Sequence, residues 1–390
     1  MGANAPGKRI MRIDSKLPDT GTTIFTIMTN LAREHGAINL SQGFPDFDPD
    51  PALIDLVHTH MAAGRNQYAP MQGVPELRSA ISAAVKGLYR REYDPDKEIT
   101  VTSGATEALF AAIHAVIRPG DEAIIMEPAY DSYVPALQLA GGRPVFCKMT
   151  HPDYSIDWDM VRDSVTQRTR LIIINSPHNP TGAILSENDI LALKDLVRDT
   201  DILILSDEVY EHIVFDSLPH LGMASDPELS QRSFVVSSFG KTFHATGWKV
   251  GYCLAPAPLT AEFRKVHQYL TFATGTPLQH ACADYLGQEE HYRGLSAFYQ
   301  RKRDLFLSLI KGSRFRALPS RGTYFQMLDY SEITDERDTD FARRLTGEHG
   351  IAAIPPSVFH HDHRHDSVLR FCFAKKDKTL EEAAELLCRI

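Results

Sequence analysis

The hydrophobic positions along this chain change their period several times. Near the start, Ile24, Ile27, Met28 and Leu31 recur at helical spacing, which predicts a helix over about Thr22 to His35 with one buried face. Asn39 to Pro51 contains Gly43, Pro45, Pro49 and Pro51 and reads as irregular chain. A glycine beside an aromatic and a proline suits close backbone approach to a ligand; a plain connecting loop is the other reading. Pro51 to Ala63 reads as a helix, and the loop Asn66 to Gly73 leads into another that begins near Pro75.

From Ile99 onward, short apolar runs alternate with amphipathic stretches, the pattern of a mostly parallel sheet covered by helices on both faces. Seven runs qualify: Ile99 to Thr102, Glu122 to Glu127, Pro144 to Cys147, Leu171 to Asn175, Ile202 to Ser206, Phe234 to Ser238 and Val250 to Ala255. Beyond Thr276 the alternation stops. A helix over Pro277 to Leu286, a long one from about His291 to Ile310, a run at Gly322 to Leu328, a helix near Thr339 to His349, runs at Ile351 to Ile354 and Ser367 to Phe373, and a terminal helix from Thr379 suggest an α+β unit. The fold expected is therefore α/β: a large domain over 50–285 with a seven-stranded sheet, and a smaller α+β domain built from 1–49 and 286–390.

Ligands in such sheets bind outside the carboxyl ends of the strands, so the residues that follow each run are the candidates. After the first run, Ser103-Gly104-Ala105-Thr106 opens a helix whose free N–H groups suit a phosphate, although the same residues are ordinary caps. Asn179 sits in Asn175 to Gly182, a loop stiffened by two prolines. Asp207 follows an apolar strand, where a carboxylate needs a cationic or protonated partner. Lys241 lies in a Ser/Gly-flanked turn between two apolar runs, where desolvation would free its nitrogen as a nucleophile, although lysines in strand connections are mostly exposed.

Composition narrows the classes. With 390 residues, 43% hydrophobic and 23% charged, the chain has the make-up of a globular protein, and a net charge of -9 gives no footprint for nucleic acid or an anionic membrane. Five widely spaced cysteines fit reduced thiols rather than a disulfide framework. The N-terminus shows no apolar leader, Pro6 occupies the position where a myristoylation signal needs Ser or Thr, and no run approaches a membrane span, so a cytoplasmic protein is expected. The tract His360 to Asp366 is rich in histidine but lacks regular ligand spacing, and it reads as a solvated loop rather than a metal site.

Eight strings in order carry a resemblance: SQGFPDF (41–47), NQYAPMQG (66–73), SGATEAL (103–109), EPAYDSY (127–133), NSPHNPTG (175–182), SDEVYEH (206–212), SSFGKTFHATGWKVGY (237–252) and LRFCFAK (369–375). On these the chain resembles, over nearly its whole length, the class I and II aminotransferases, the fold-type I family that uses pyridoxal 5'-phosphate. It is most similar to the branch with kynurenine aminotransferase, glutamine transaminase K and bacterial methionine aminotransferases. The resemblance implies that Lys241 forms the internal aldimine and shuttles the proton, that Asp207 pairs with the pyridine nitrogen, and that Asn179 and Tyr210 bond the ring oxygen. Tyr130 would stack on the ring. Backbone N–H groups at Ala105 and Thr106, with Ser238 and Lys249, would hold the phosphate; many relatives carry arginine at the last position. Arg370 and Gly43 would bind the substrate carboxylate, with Asn179 beside them, and Tyr68 would reach the phosphate of a neighbouring subunit, which implies a homodimer.

The activity implied is ping-pong transamination of neutral amino acids (methionine, aromatic, glutamine or kynurenine-like) with a 2-oxo acid, since no second arginine is evident for a distal carboxylate. A β-lyase acting on cysteine conjugates or cystathionine is the alternative within enzymes. A regulator that keeps the fold as a sensor would need a DNA-binding segment for which the sequence before the first helix leaves no room. A nicotinamide dehydrogenase would need a glycine-rich turn after the first strand, which SGATEA does not supply.

Overall fold

The computed structural model describes residues 13–390; the first twelve, Pro6 among them, lie outside the described residues. Seven strands form the largest sheet: β1 (Ile99–Thr102), β2 (Glu122–Glu127), β3 (Arg143–Lys148), β4 (Thr169–Asn175), β5 (Leu203–Asp207), β6 (Ser233–Ser238) and β7 (Gly251–Leu254). Their spatial order is β1-β7-β6-β5-β4-β2-β3. Only β7 runs against its neighbours, β1 and β6; the other pairings are parallel.

Both faces of the central strands are covered, which is why they read as continuous apolar runs rather than alternating ones. The period of two still sorts the core. Ile124, Ile172 and Val235 belong to one apolar cluster, whereas their neighbours Ala123, Ile125, Leu171, Ile173, Phe234 and Val236 belong to another. Each fully buried side chain of this size contributes about 1.5–3 kcal/mol. The second cluster includes the helix Gly104–Val116, whose Ala108, Leu109, Ala112, Ile113 and Val116 are buried as their spacing predicts.

Registration aligns the site. Asn175 and Asp207 end adjacent strands as direct partners. Thr102 pairs with Gly251, which pairs with Ser238, so the end of β1 lies level with the end of β6. The residues after β1, β4, β5 and β6 therefore gather along one edge, as expected for such sheets.

The rest of the described chain forms two small sheets. Ile38–Asn39 pairs in parallel with Ile351–Ala352, and Arg316–Ala317, Phe325–Asp329 and Val368–Cys372 form an antiparallel sheet with Phe325–Asp329 in the middle. The helices predicted at the start are Ile24–His35, Pro51–Ala62 and Pro75–Tyr89.

Three expectations need correction. The turn that carries Lys241 is a one-turn helix, Phe239–Thr242, closed by Phe243 N–H donating to the Phe239 carbonyl and pinned where Phe239 N–H donates to Val250. The long helix expected from His291 breaks at Gly294 into Glu290–Arg293 and Leu295–Leu309, because glycine lacks the side chain that would hold the turn rigid. The terminal helix begins earlier than Thr379, at Asp377.

Candidate active site

A cavity of about 170 Å³ opens at the aligned strand ends. Lys241, Asp207, Tyr210, Asn179 and Tyr130 line one part of it, and Ala105, Thr106, Ser238 and Lys249 line the other. Nine predicted residues from five separate stretches thus meet.

At the floor is Asp207, 4% exposed. Its Oδ2 accepts from the Tyr133 hydroxyl at 2.7 Å and its Oδ1 from the Val209 N–H at 3.4 Å. Burial pushes its carboxyl up to about 6 against these two hydrogen bonds and the nearby Lys241, which pull it down. No cation is bonded to it among the described residues, so the carboxylate is short of one partner. Asn175 fixes the strand end beneath by donating to the Asp207 carbonyl at 2.8 Å.

Lys241 extends from its one-turn helix toward this floor. Burial lowers its amine to about 8, with the positive charges of Arg370 and Lys249 acting in the same direction. Its Nζ lies 5.5 Å from the ring centre of Tyr210. Tyr210 is itself buried, and burial raises its hydroxyl well above the ordinary tyrosine range, so the group stays a neutral donor.

The other end of the cavity is an anion cradle. Gly104 starts the 13-residue helix with φ +76°, and Ser103 makes no side-chain cap, so the first N–H groups of the helix are left without a side-chain acceptor from the cap residue. Lys249 closes the cradle: a Cβ on Gly104 would stand only 3.1 Å from its Nζ. Exposed N–H groups, a helix dipole and an ammonium together suit a dianionic phosphate. Asp207 suits a protonated ring nitrogen, and the residues present fit pyridoxal 5'-phosphate.

Arg370 stands beside the cavity at 1% exposure. It donates to Asn179 Oδ1 at 2.7 Å and to the Ser41 carbonyl at 2.9 Å, and its Nε has no partner among the described residues. A guanidinium has five N–H groups, so three remain for a carboxylate. The Phe325 ring lies 4.0 Å beneath its Cζ. Gly43 packs against that ring so closely that a Cβ there would be 2.8 Å from Phe325 Cζ.

Tyr68 is not brought to this cavity. It is 88% exposed, and its ring meets Phe272 edge to face at 5.5 Å. Sequence reasoning missed Tyr133, Asn175, Ser41 and Tyr324, the last of which bonds Lys241 at 2.9 Å. Tyr133 and Asn175 lie in strings already singled out, but nothing in their spacing marks which oxygen or nitrogen they face. His361, from the histidine-rich tract, binds Glu127 at 2.8 Å, and no described group of three or more His, Cys, Asp or Glu side chains could hold a metal ion.

The comparisons with known proteins agree with this geometry. Residues 35–387 match the family model "Aminotransferase class I and II". Methionine aminotransferase of Escherichia coli is 51% identical over 374 residues, covering 96% of this chain and 97% of that protein. A kynurenine–oxoglutarate transaminase of Dictyostelium discoideum is 34% identical over 95% of this chain and 94% of its own length. The crystal structure of an Escherichia coli protein with a methionine aminotransferase function superposes with a TM-score of 0.96 at 50% identity, covering 97% of this chain and all of that one. These relatives do not favour the β-lyase alternative. The chain belongs to the class I and II aminotransferases, enzymes that transfer nitrogenous groups between amino acids and oxo acids.

Proposed function

We propose that this enzyme binds pyridoxal 5'-phosphate at the strand ends and transaminates neutral amino acids, methionine among them, with a 2-oxo acid by a ping-pong sequence. The observation that carries the reading is the meeting, in one cavity, of an acid raised by burial and an amine lowered by it, beside an open helix N-terminus. When bound, the cofactor supplies an electron sink that makes the substrate Cα–H acidic. The protein's residues do the rest. Asp207 holds a proton on the pyridine nitrogen. Asn179 and Tyr210 would donate to the ring oxygen, Tyr130 would cover the ring face, and Ala105, Thr106, Ser238 and Lys249 would anchor the phosphate. Arg370 fixes the substrate carboxylate with two parallel N–H bonds next to Gly43, which orients the Cα–H toward Lys241. Lys241, the amine facing the cavity, would carry the proton between the substrate Cα and the cofactor carbon C4'.

A groove of about 820 Å³ continues past Tyr130. Ile24, Phe25, Val134, Phe146, Val358 and Phe359 line it, with the acids Asp19, Glu127 and Asp131 and the histidines His360, His361 and His363, but no lysine or arginine. An apolar side chain gains by burial there; a second carboxylate would meet three acids and no lysine or arginine. In a single-turnover mixture, methionine or phenylalanine is expected to convert the holoenzyme's absorption band to that of the aminated cofactor, with stoichiometric 2-oxo acid, whereas aspartate reacts far more slowly. No conversion with either neutral amino acid would sink the reading.

The remaining expectations belong to the same proposal. The chain divides into a cofactor-binding domain over 50–285 and a small domain from 1–49 and 286–390, which carries Gly43 and Arg370. Tyr68, Tyr269, Leu270 and Phe272 form an exposed apolar patch, with the two tyrosines 88% and 87% exposed, which a second copy would cover while bringing Tyr68 to the partner's phosphate cradle. Light scattering is expected to give twice the 43.6 kDa chain mass; a monomer mass at assay concentration overturns the shared site. All five cysteines are free and four are buried, which supports a reducing, cytoplasmic location. No described helix is long and apolar enough to cross a membrane.

A further inference from the structure

The Lys241 amine is held by two groups from outside the sheet. Its Nζ donates to the Tyr324 hydroxyl at 2.9 Å and to the Gly43 carbonyl at 3.2 Å, and Tyr324 also bonds that carbonyl. A carbonyl oxygen only accepts, so Tyr324 must spend its single O–H on Gly43, and its oxygen must accept from Lys241. A neutral amine has two N–H groups and one lone pair. Tyr324 and Gly43 engage both N–H groups, and the lone pair is left for the cavity.

We propose that Tyr324 is a positioning residue for Lys241: together with the Gly43 carbonyl it takes up both N–H groups of the neutral amine and so aims the lone pair at the reacting carbon. This rests on the reading of Lys241 as nucleophile and proton carrier. Rigidity supports it. Tyr324 is fully buried, with its ring against Tyr210 at 5.1 Å and Tyr299 at 5.6 Å. Its backbone is pinned where Thr323 N–H donates to Ile213 and Phe373 N–H to the Tyr324 carbonyl, both at 3.0 Å. Thr323 holds φ 65°, a left-handed conformation that a β-branched residue adopts only when its surroundings impose it. The same short segment serves two groups: the Ser41 carbonyl takes an N–H of Arg370 and the Gly43 carbonyl takes one of Lys241. Placement of the amine and of the carboxylate clamp is thereby coupled.

The groups facing the amine are Asp207, Tyr210, Arg370, Lys249, Cys372, Tyr324 and the Gly43 carbonyl. Of these, the Tyr324 oxygen is an acceptor that stabilises an ammonium more than a neutral amine. Its removal therefore drives the Lys241 pKa further down while freeing the amine to rotate. That pairing of effects, a lower pKa with slower chemistry, is one that general loosening does not produce.

Tyr324→Phe keeps the ring packing, and Tyr299→Phe is the matched control, because the Tyr299 hydroxyl is buried without a partner among the described residues. Competitive acetylation of the cofactor-free full-length chain, read by mass spectrometry on the peptide that contains Lys241, gives the titration without any turnover. In Tyr324→Phe the acetylation limb is expected to move to lower pH by about half a unit. In the holoenzyme, kcat is expected to fall about tenfold, with KM little changed. Tyr299→Phe matches the wild type in both. A fluorinated tyrosine at 324, which keeps the shape and weakens the oxygen as an acceptor, shifts the limb the same way by less, and this tests the idea even if the phenylalanine variant folds poorly. An unmoved limb, or a slower kcat without the shift, overturns the role of Tyr324. Lys241→Ala separates the two readings: if it is inactive while Tyr324→Phe behaves as wild type, only the positioning role is lost.

Discussion

Lys241→Ala is expected to lower kcat by roughly four orders of magnitude while leaving a folded protein that still takes up pyridoxal phosphate. The size follows from the double duty of one nitrogen. Lys241 is the amine in the cavity that is aimed by fixed acceptors, and its carrier helix is pinned between β6 and β7. Lys249, exposed at the cradle, is committed to the anion end and cannot reach in its place. Cofactor content after dialysis and turnover with methionine are the measurements, and turnover within tenfold of wild type would overturn the assignment. Because burial lowers the amine to about 8, only roughly one tenth is neutral at pH 7. In the cofactor-free chain its reactivity therefore rises with pH through about 8.

Asp207→Asn is expected to cost about two to three orders of magnitude in kcat, since an amide cannot hold a proton on the pyridine nitrogen. The same residue makes a prediction about stability without cofactor. Its folded pKa, about 6, lies above the unfolded value of 3.8. Below 3.8 both states bind the proton and Asp207 contributes nothing. As pH rises toward 6 the unfolded chain ionises first, so the native state loses stability, by about 3 kcal/mol in total for a shift of this size. Urea unfolding of the cofactor-free wild type between pH 4 and 6 is expected to show this loss, and Asp207→Asn removes that part of the slope. Equal slopes in the two proteins would mean that the carboxylate is better satisfied than its burial implies. Binding a protonated ring nitrogen restores the missing partner, which couples cofactor uptake to folding stability.

Much of this was legible in advance. The seven runs became seven strands, two with unchanged ends and the others with ends shifted by at most two residues, because an apolar run buried on both faces has no alternative use in a chain of this length. Asp207 was legible for a related reason: an acid directly after such a run is carried to the sheet edge whatever the loops do. The one-turn helix at Lys241 was not, because four residues, Phe239–Thr242, are too few to show a period, and long-range bonds to Val250 hold it. The break at Gly294 was hidden because apolar spacing continues across it.

Tyr324 and Ser41 show the deeper limit. Both lie far from Lys241 and Arg370 along the chain, and both act through atoms with no sequence signature, a hydroxyl in an apolar strand region and a main-chain carbonyl. By itself the sequence determined the sheet and the edge to which Asp207 and Lys241 are carried, since local apolar patterning holds that information; Arg370 was marked only by the family resemblance. Only the tertiary structure decided which hydrogen bonds aim the amine, which N–H groups of Arg370 stay free and that Tyr68 faces outward, because those follow from the packing of segments up to 329 residues apart.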